Sequence, residues 1–207
     1  MPKAKETGAA SAPAKKTAGR RSYRSYGKIK PAPGKSKAEP KPIKASLLGG
    51  LKEAGKNMTL FEYGEDMFLV DCGLAFPDQD MLGVDLVLPD FTYVERNADK
   101  IRGIVITHGH EDHIGGLPYL LKVLNVPVYG TKLTVGLIQG KLREHGLLNS
   151  ASLNVINPGD VITLGGFTVE AIHVNHSIPD ALGLAAGAAL SSTRATSKST
   201  QRLSTAA

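Results

Sequence analysis

Residues 104–113 read IVITHGHEDH and run on into IGG. The apolar start is a strand buried on both faces. Just past it, three histidines and an aspartate fall within the six positions 108 to 113. A strand end fixes the first of these side chains, and Gly109 lets the chain turn tightly enough for alternate side chains to converge. His108 and His110 point the same way in an extended segment, while Asp112 and His113 lie one step further, at the start of a helix. That spacing suits two adjacent metal positions better than one. Imidazole with carboxylate favours zinc, with manganese or iron next. A plain polar loop would not gather three of the chain's six histidines; the other three are His145, His173 and His176.

The surrounding chain supplies a scaffold for such a loop. NMTLFEY (57–63) and MFLVDCG (67–73) flank a compact turn at 64–66 and predict a β-hairpin. Residues 84–90 are apolar up to Pro89, and TYVERNADK predicts a short helix. IGGLPYLLKVLN predicts a helix opening after two glycines, and VPVYG a short strand. Residues 132–146 place Leu133, Val135, Leu137, Ile138 and Leu142 at helical spacing, with Gly146 to end the helix. ASLNVINPGDVITLGGFTVEAIHVNH then gives three short strands with NPGD and GG turns. Strands, strand–helix units and strands again indicate an α+β sandwich of mixed sheets with helices outside. Trp is absent and aromatics are 5% of the chain, so the core is expected to be built from Leu, Val and Ile.

Charge divides the chain further. The net charge of +6 would by itself point to a nucleic-acid binder. Residues 1–44, however, hold 13 Lys/Arg and 2 Asp/Glu, residues 45–184 hold 9 and 17, and residues 185–207 hold 3 and none. The body is acidic and the ends are basic. Residues 1–42, rich in Lys, Ala, Pro and Ser, cannot bury enough apolar surface to offset their ordering entropy and are expected to be a disordered basic tail. Within that tail Arg20, Arg21, Tyr23, Arg24, Tyr26 and Lys28 combine aromatic faces with positive charge, a pattern that suits single-stranded RNA. One cysteine, Cys72, excludes an internal disulfide and a Cys-rich zinc site, and reads as a small buried hydrophobe. No apolar run nears 18 residues and no apolar leader is legible, so no membrane contact is expected and a cytoplasmic protein is the default.

THGHEDHIGG resembles the metal-binding signature of the metallo-β-lactamase superfamily of αββα sandwiches. The flanks LGGLKEAGKNMTLFEYGEDMFLVDCGLAFPDQDMLGVDLVLPD and VNHSIPDALGLA narrow the likeness to the ribonuclease J family, of the β-CASP branch, over residues 43–185. The resemblance implies a metal-dependent ribonuclease that hydrolyses RNA phosphodiester bonds, both endonucleolytically and 5′→3′ exonucleolytically. It implies His108, His110 and His176 at a first metal, and Asp112 with His113 at a second. Two zinc ions fill a complete family site, manganese being the alternative. Asp112 would also manage the proton of the attacking water, and Asp71 would orient the loop without binding metal. A small-molecule metallohydrolase of thioesterase type, and an inactive chain binding RNA only through its basic tail, are the competing readings. Full-length members of such a family can form homo-oligomers; nothing in this sequence supports one here.

The other polar residues keep plainer expectations. His145 falls in the last turn of a helix, where a cation complements the dipole. His173 reads as an orienting or exposed residue. Ser177 and Asp180 fit either a supporting role beside His176 or a turn around Pro179. After Leu184 the composition shifts to AAGAALSSTRATSKSTQRLSTAA, and residues 186–207 are expected to be a disordered low-complexity tail. Residues 191–198, read in another frame, permit VHTGDFK, which resembles the family motif carrying a metal-bridging aspartate. A frameshift near residues 184–187 is the expected reading and a genuine flexible tail the alternative; a frameshift leaves a partial sandwich, an incomplete second metal position, poor solubility and little nuclease activity.

Overall fold

Alternating side chains pair MTLFEY with DMFLV as a hairpin. In the computed structural model, which describes residues 42–188 and the strand 203–205, these segments are β2 (Met58–Tyr63) and β3 (Asp66–Val70). Phe61 lies opposite Phe68 and Leu60 opposite Leu69. The turn is made by Gly64 at φ 63°, a left-handed conformation that glycine adopts without a Cβ penalty. β1 (Lys44–Gly49) adds antiparallel to β2. Three parallel strands then extend the sheet: β4 (Ile101–Val105), β5 (Val128–Gly130) and β6 (Leu153–Val155), in the order β1-β2-β3-β4-β5-β6.

Parallel neighbours need crossovers, and the helices supply them. The first crossover holds α1 (Thr92–Arg96) and one 3-10 turn (Ala98–Lys100). The second holds two single turns, α2 (Glu111–Ile114) and α3 (Leu117–Leu120), separated by Gly115 and Gly116. The third is α4 (Lys132–Glu144), which buries Val135, Ile138 and Leu142. Gly146, at φ 70°, ends α4: its N–H bonds to Arg143 O at 3.1 Å and the Leu147 N–H to Leu142 O at 2.8 Å. This is the paired closure that a left-handed glycine permits. Residues 84–90 form no strand; Val87 makes a single bridge to Ala75.

The second sheet is antiparallel, in the order β10-β9-β8-β7, from β7 (Val161–Leu164), β8 (Phe167–His173), β9 (Leu182–Ala188) and β10 (Leu203–Thr205). β8 and β9 pair continuously from His173↔Leu182 to Phe167↔Ala188. The two faces of the first sheet are both covered. Leu60, Leu69 and Ile104 pack with Leu117, Leu120, Ile138 and Leu142 beneath the helices. Phe61, Phe68, Val70 and Val105 face Phe167, Val169 and Leu184 of the second sheet. Phe68 meets Phe167 edge-to-face with centroids 4.9 Å apart and stacks on Phe61 at 5.0 Å. The helix-side core is aliphatic as composition predicts, but three of the chain's five phenylalanines make the centre of the inter-sheet core. A rare residue type concentrates where two flat faces meet, because an aromatic ring buries large area for few rotamers.

The layer order is helices, first sheet, second sheet, and the end of β4 opens into the histidine loop between the layers. Among the described residues no helix is long and apolar enough to cross a membrane. The tail residues Arg20, Arg21, Tyr23, Arg24, Tyr26 and Lys28 lie outside the described residues.

Candidate metal centre

The histidine loop is held by its backbone before any side chain acts. Residues 72–74 run beside residues 111–116: Cys72 N–H donates to His113 O at 2.8 Å, Leu74 N–H to Glu111 O at 3.2 Å, and Gly116 N–H to Cys72 O at 2.9 Å. Asn57 N–H bonds Asp112 O at 3.0 Å, and Leu182 N–H of β9 bonds Thr107 O at 2.9 Å. Both sheets therefore grip the segment. Close approach explains the glycines. A Cβ on Gly73 would lie 1.6 Å from Asp112 O, and one on Gly109 would lie 2.4 Å from Leu137 Cδ1 of α4.

On this frame His108, His110 and His176 converge, with one donor nitrogen from each lying within 4.8 Å of the others. Ring centroids are 4.8 Å apart for His108 and His110, and 4.4 Å for His108 and His176. The cluster grades from buried His108 through half-buried His110 to exposed His176, so it opens to solvent on one side. His176 comes from the loop after β8, which is closed by Val174 N–H to Ala181 O at 3.2 Å. His113 adjoins the cluster, its ring 4.0 Å from that of His108. Its Nε2 is 3.4 Å from Asp112 Oδ2.

Asp71 lies behind the histidines rather than among them. It is 5% exposed and sits at φ 61°, a conformation that costs a non-glycine residue energy. Its carboxylate repays that strain by accepting from Thr107 N–H at 2.8 Å, from the Thr107 hydroxyl at 2.9 Å and from His113 Nδ1–H at 2.8 Å. The Thr107 hydroxyl is also 3.0 Å from His108 Nδ1. On the far side, the Asn57 amide donates to Asp112 Oδ2 at 3.0 Å and faces His113 Nε2 at 3.2 Å.

Electrostatics follow from this packing. Burial, then the neighbouring His113, His176 and His110, push His108 down to about 4, so its imidazole is neutral and able to donate a lone pair. Burial also works against a charged His113, but the hydrogen bond and charge of Asp71, helped by Asp112, outweigh it and hold His113 above its ordinary value. Burial first, and then Asp71, push the Cys72 thiol up, which suits a packed hydrophobe.

The residues fit a cation. Among the described side chains, His108 Nε2 is a buried polar atom without a hydrogen-bond partner. Such an atom is costly unless something electrophilic faces it, and two further imidazoles are aimed at the same space. Three histidines are a familiar donor set for a divalent metal.

The remaining candidates lie elsewhere. His173 ends β8 exposed, outside the cluster. His145 caps α4, its ring 5.1 Å from Tyr119. Ser177 is exposed, and Asp180, at φ 62°, lines a shallow groove of about 410 Å³ with Lys132, Leu133, Gly136 and Leu137. Two residues of the site were not singled out from sequence. Thr107 sits inside the quoted motif, a hydroxyl between a buried strand and the first histidine. Asn57 carries no local signal, since its partners are 55 and 56 residues away.

Comparison with known proteins places this geometry. The chain is 44% identical over 146 residues to ribonuclease J 1 of Streptococcus pyogenes serotype M3, an alignment covering 70% of the chain and 26% of that protein. It is 49% identical over 145 residues to ribonuclease J of Synechocystis, covering 69% of the chain and 23% of that protein. The chain thus spans about a quarter of the length of these relatives. A crystal structure of an Enterococcus faecalis V583 protein of unknown function shares the fold, with TM-score 0.51 and 19% identity over 69% of this chain and 40% of that one. Residues 51–187, which carry both sheets from β2 to β9 and every histidine of the cluster, match the family model of the metallo-beta-lactamase superfamily, and the chain belongs to that superfamily.

Proposed function

We propose that this domain is the metal-dependent hydrolase of a ribonuclease, acting on RNA phosphodiester bonds. The observation that carries the reading is the convergence of His108, His110 and His176 in a segment 44–49% identical to ribonucleases J. His108, His110 and His176 hold one divalent cation, and Asp112 with His113 hold a second, both zinc with manganese the alternative. Bound there, such cations supply a water of lowered pKa and neutralise phosphate charge.

The chain's own groups set the conditions. Asp71 fixes the His113 ring through Nδ1, which turns the Nε2 lone pair toward Asp112 and the Asn57 amide, where a cation would take the place of the amide hydrogen. Asp112, 44% exposed at the mouth of the site, takes the proton of the attacking water at a carboxylate oxygen. The exposed side of the cluster, at His176, admits a polymer, whereas a closed pocket would select a small molecule. The tail residues Arg20, Arg21, Tyr23, Arg24, Tyr26 and Lys28 add phosphate attraction and stacking for a single strand. The acidic body is no obstacle, because bound cations are the largest local charges in such a site.

Asn57 should govern the second position. Its amide bridges Asp112 Oδ2 and His113 Nε2 and sets their spacing. Asn57→Ala is expected to weaken the second cation about tenfold while leaving the first unchanged; a zinc titration resolves the two classes. The functional reading is tested by giving the full chain single-stranded RNA, a thioester and a β-lactam with zinc or manganese. The expected result is slow cleavage of RNA in preference to the others, abolished by chelation. Faster turnover of the thioester or the lactam would contradict it.

A further inference from the structure

We infer that Thr107 is a positioning residue that relays Asp71 to His108, so that one buried carboxylate sets the proton positions of two imidazoles. The argument is a count of hydrogens. A carboxylate offers acceptors, and a threonine hydroxyl offers one hydrogen and two lone pairs. The Thr107 oxygen lies 2.9 Å and 3.1 Å from the two Asp71 oxygens. At those distances two oxygens repel unless a hydrogen lies between them, so the single hydroxyl hydrogen is spent on Asp71. The same oxygen is 3.0 Å from His108 Nδ1 and has only lone pairs left for it. Nδ1 of His108 therefore carries the hydrogen, and Nε2 carries the lone pair.

A separate observation agrees. Among the described side chains, His108 Nε2 is the buried polar atom that lacks a hydrogen-bond partner. A hydrogen there would be an unsatisfied donor, whereas a lone pair is a ligand atom waiting for a cation. His113 reaches the same state directly, donating Nδ1–H to Asp71 Oδ2 at 2.8 Å. Asp71 thus presents two Nε2 lone pairs on rings 4.0 Å apart, one through contact and one through a hydroxyl. The two cation positions share a single anchor, and the relay gives Thr107 a role that backbone geometry alone would not require.

The proposal deepens the reading of the cluster as a metal centre, and its first test needs no metal. Long-range proton–nitrogen NMR correlations on the 15N-labelled, metal-free full chain report which ring nitrogen is protonated. The expected pattern is Nδ1–H for both His108 and His113. Thr107→Val removes the hydroxyl at nearly constant shape and should release the His108 tautomer while leaving His113 unchanged. Thr107→Ser should restore His108. In zinc titrations, Thr107→Val should lose 10- to 100-fold in affinity at the His108 position, with Thr107→Ser near wild type. An Nε2–H tautomer at His108 in the wild type overturns the relay without any variant having to fold. An unchanged His108 pattern in Thr107→Val, or equal disturbance of both rings, overturns it as well. Correct tautomers without zinc binding would instead contradict the metal-centre reading and leave the relay standing.

Discussion

Replacing His108 with alanine should lower metal-dependent RNA cleavage by about a thousandfold. His108 is the buried member of the histidine cluster, and its Nε2 is the orphaned ligand atom. Its removal leaves two donors, one of them exposed, to hold a cation against water. Loss of the cation's stabilisation of transition-state charge is worth several kcal/mol, and about 4 kcal/mol is a factor of a thousand in rate. The fold should survive the change. Residues 111–116 are held by backbone bonds to residues 72–74, and His108 lies outside both apolar cores. Initial rates of the variant, at metal concentrations that saturate the wild type, measure the effect, with circular dichroism as the control for folding. A rate within tenfold of wild type would remove His108 from the site.

Gly73→Ala should be the most damaging methyl group that can be added near the site. Its Cβ would lie 1.6 Å from Asp112 O and 2.8 Å from His113 N. Both are backbone atoms, so no side-chain rotation can relieve the overlap. Either residues 72–74 separate from residues 111–116, breaking the bonds that seat Asp112 and His113, or the strain stays in place. Overpacking of this kind costs about 3 kcal/mol or more, equivalent to roughly 10 °C in the unfolding midpoint of a domain this size. Gly136 in α4 is the matched control, since a Cβ there meets nothing within 4 Å and alanine favours a helix by about 1 kcal/mol. Thermal unfolding of the two variants should move in opposite directions. A neutral Gly73→Ala would mean that the metal loop does not pack on residues 72–74.

The pattern of success in reading the sequence follows the range of the forces involved. The hairpin around Gly64, the α4 stop at Gly146 and the strand before Thr107 are local, set by a turn glycine or by side-chain alternation. Each is legible within ten residues. The histidine loop was legible because its residue types are rare and crowded, and His176 because its flanks matched a family. By contrast, residues 84–90 read only as apolar up to Pro89, and their single bridge, from Val87 to Ala75, depends on a partner whose availability is not a local property. The helix expected after Gly115 and Gly116 is the single turn α3, parted from α2 by those glycines. Gly115 and Gly116 pack against Leu74 and Gly73, and that tertiary contact outweighs helical propensity. Thr107 and Asn57 were missed for the same reason: their roles depend on Asp71, Asp112 and His113 being brought close by the fold.

Cation content of the purified full chain tests the account most directly. After exhaustive dialysis, elemental analysis should find about one tightly held zinc or manganese per chain, because the three-histidine set keeps its metal while the two-ligand position of Asp112 and His113 is the weaker and is emptied. The triple variant His108→Ala, His110→Ala, His176→Ala, still folded by circular dichroism, should retain none. Equal metal content in the two proteins would contradict the assignment of these histidines as the metal centre.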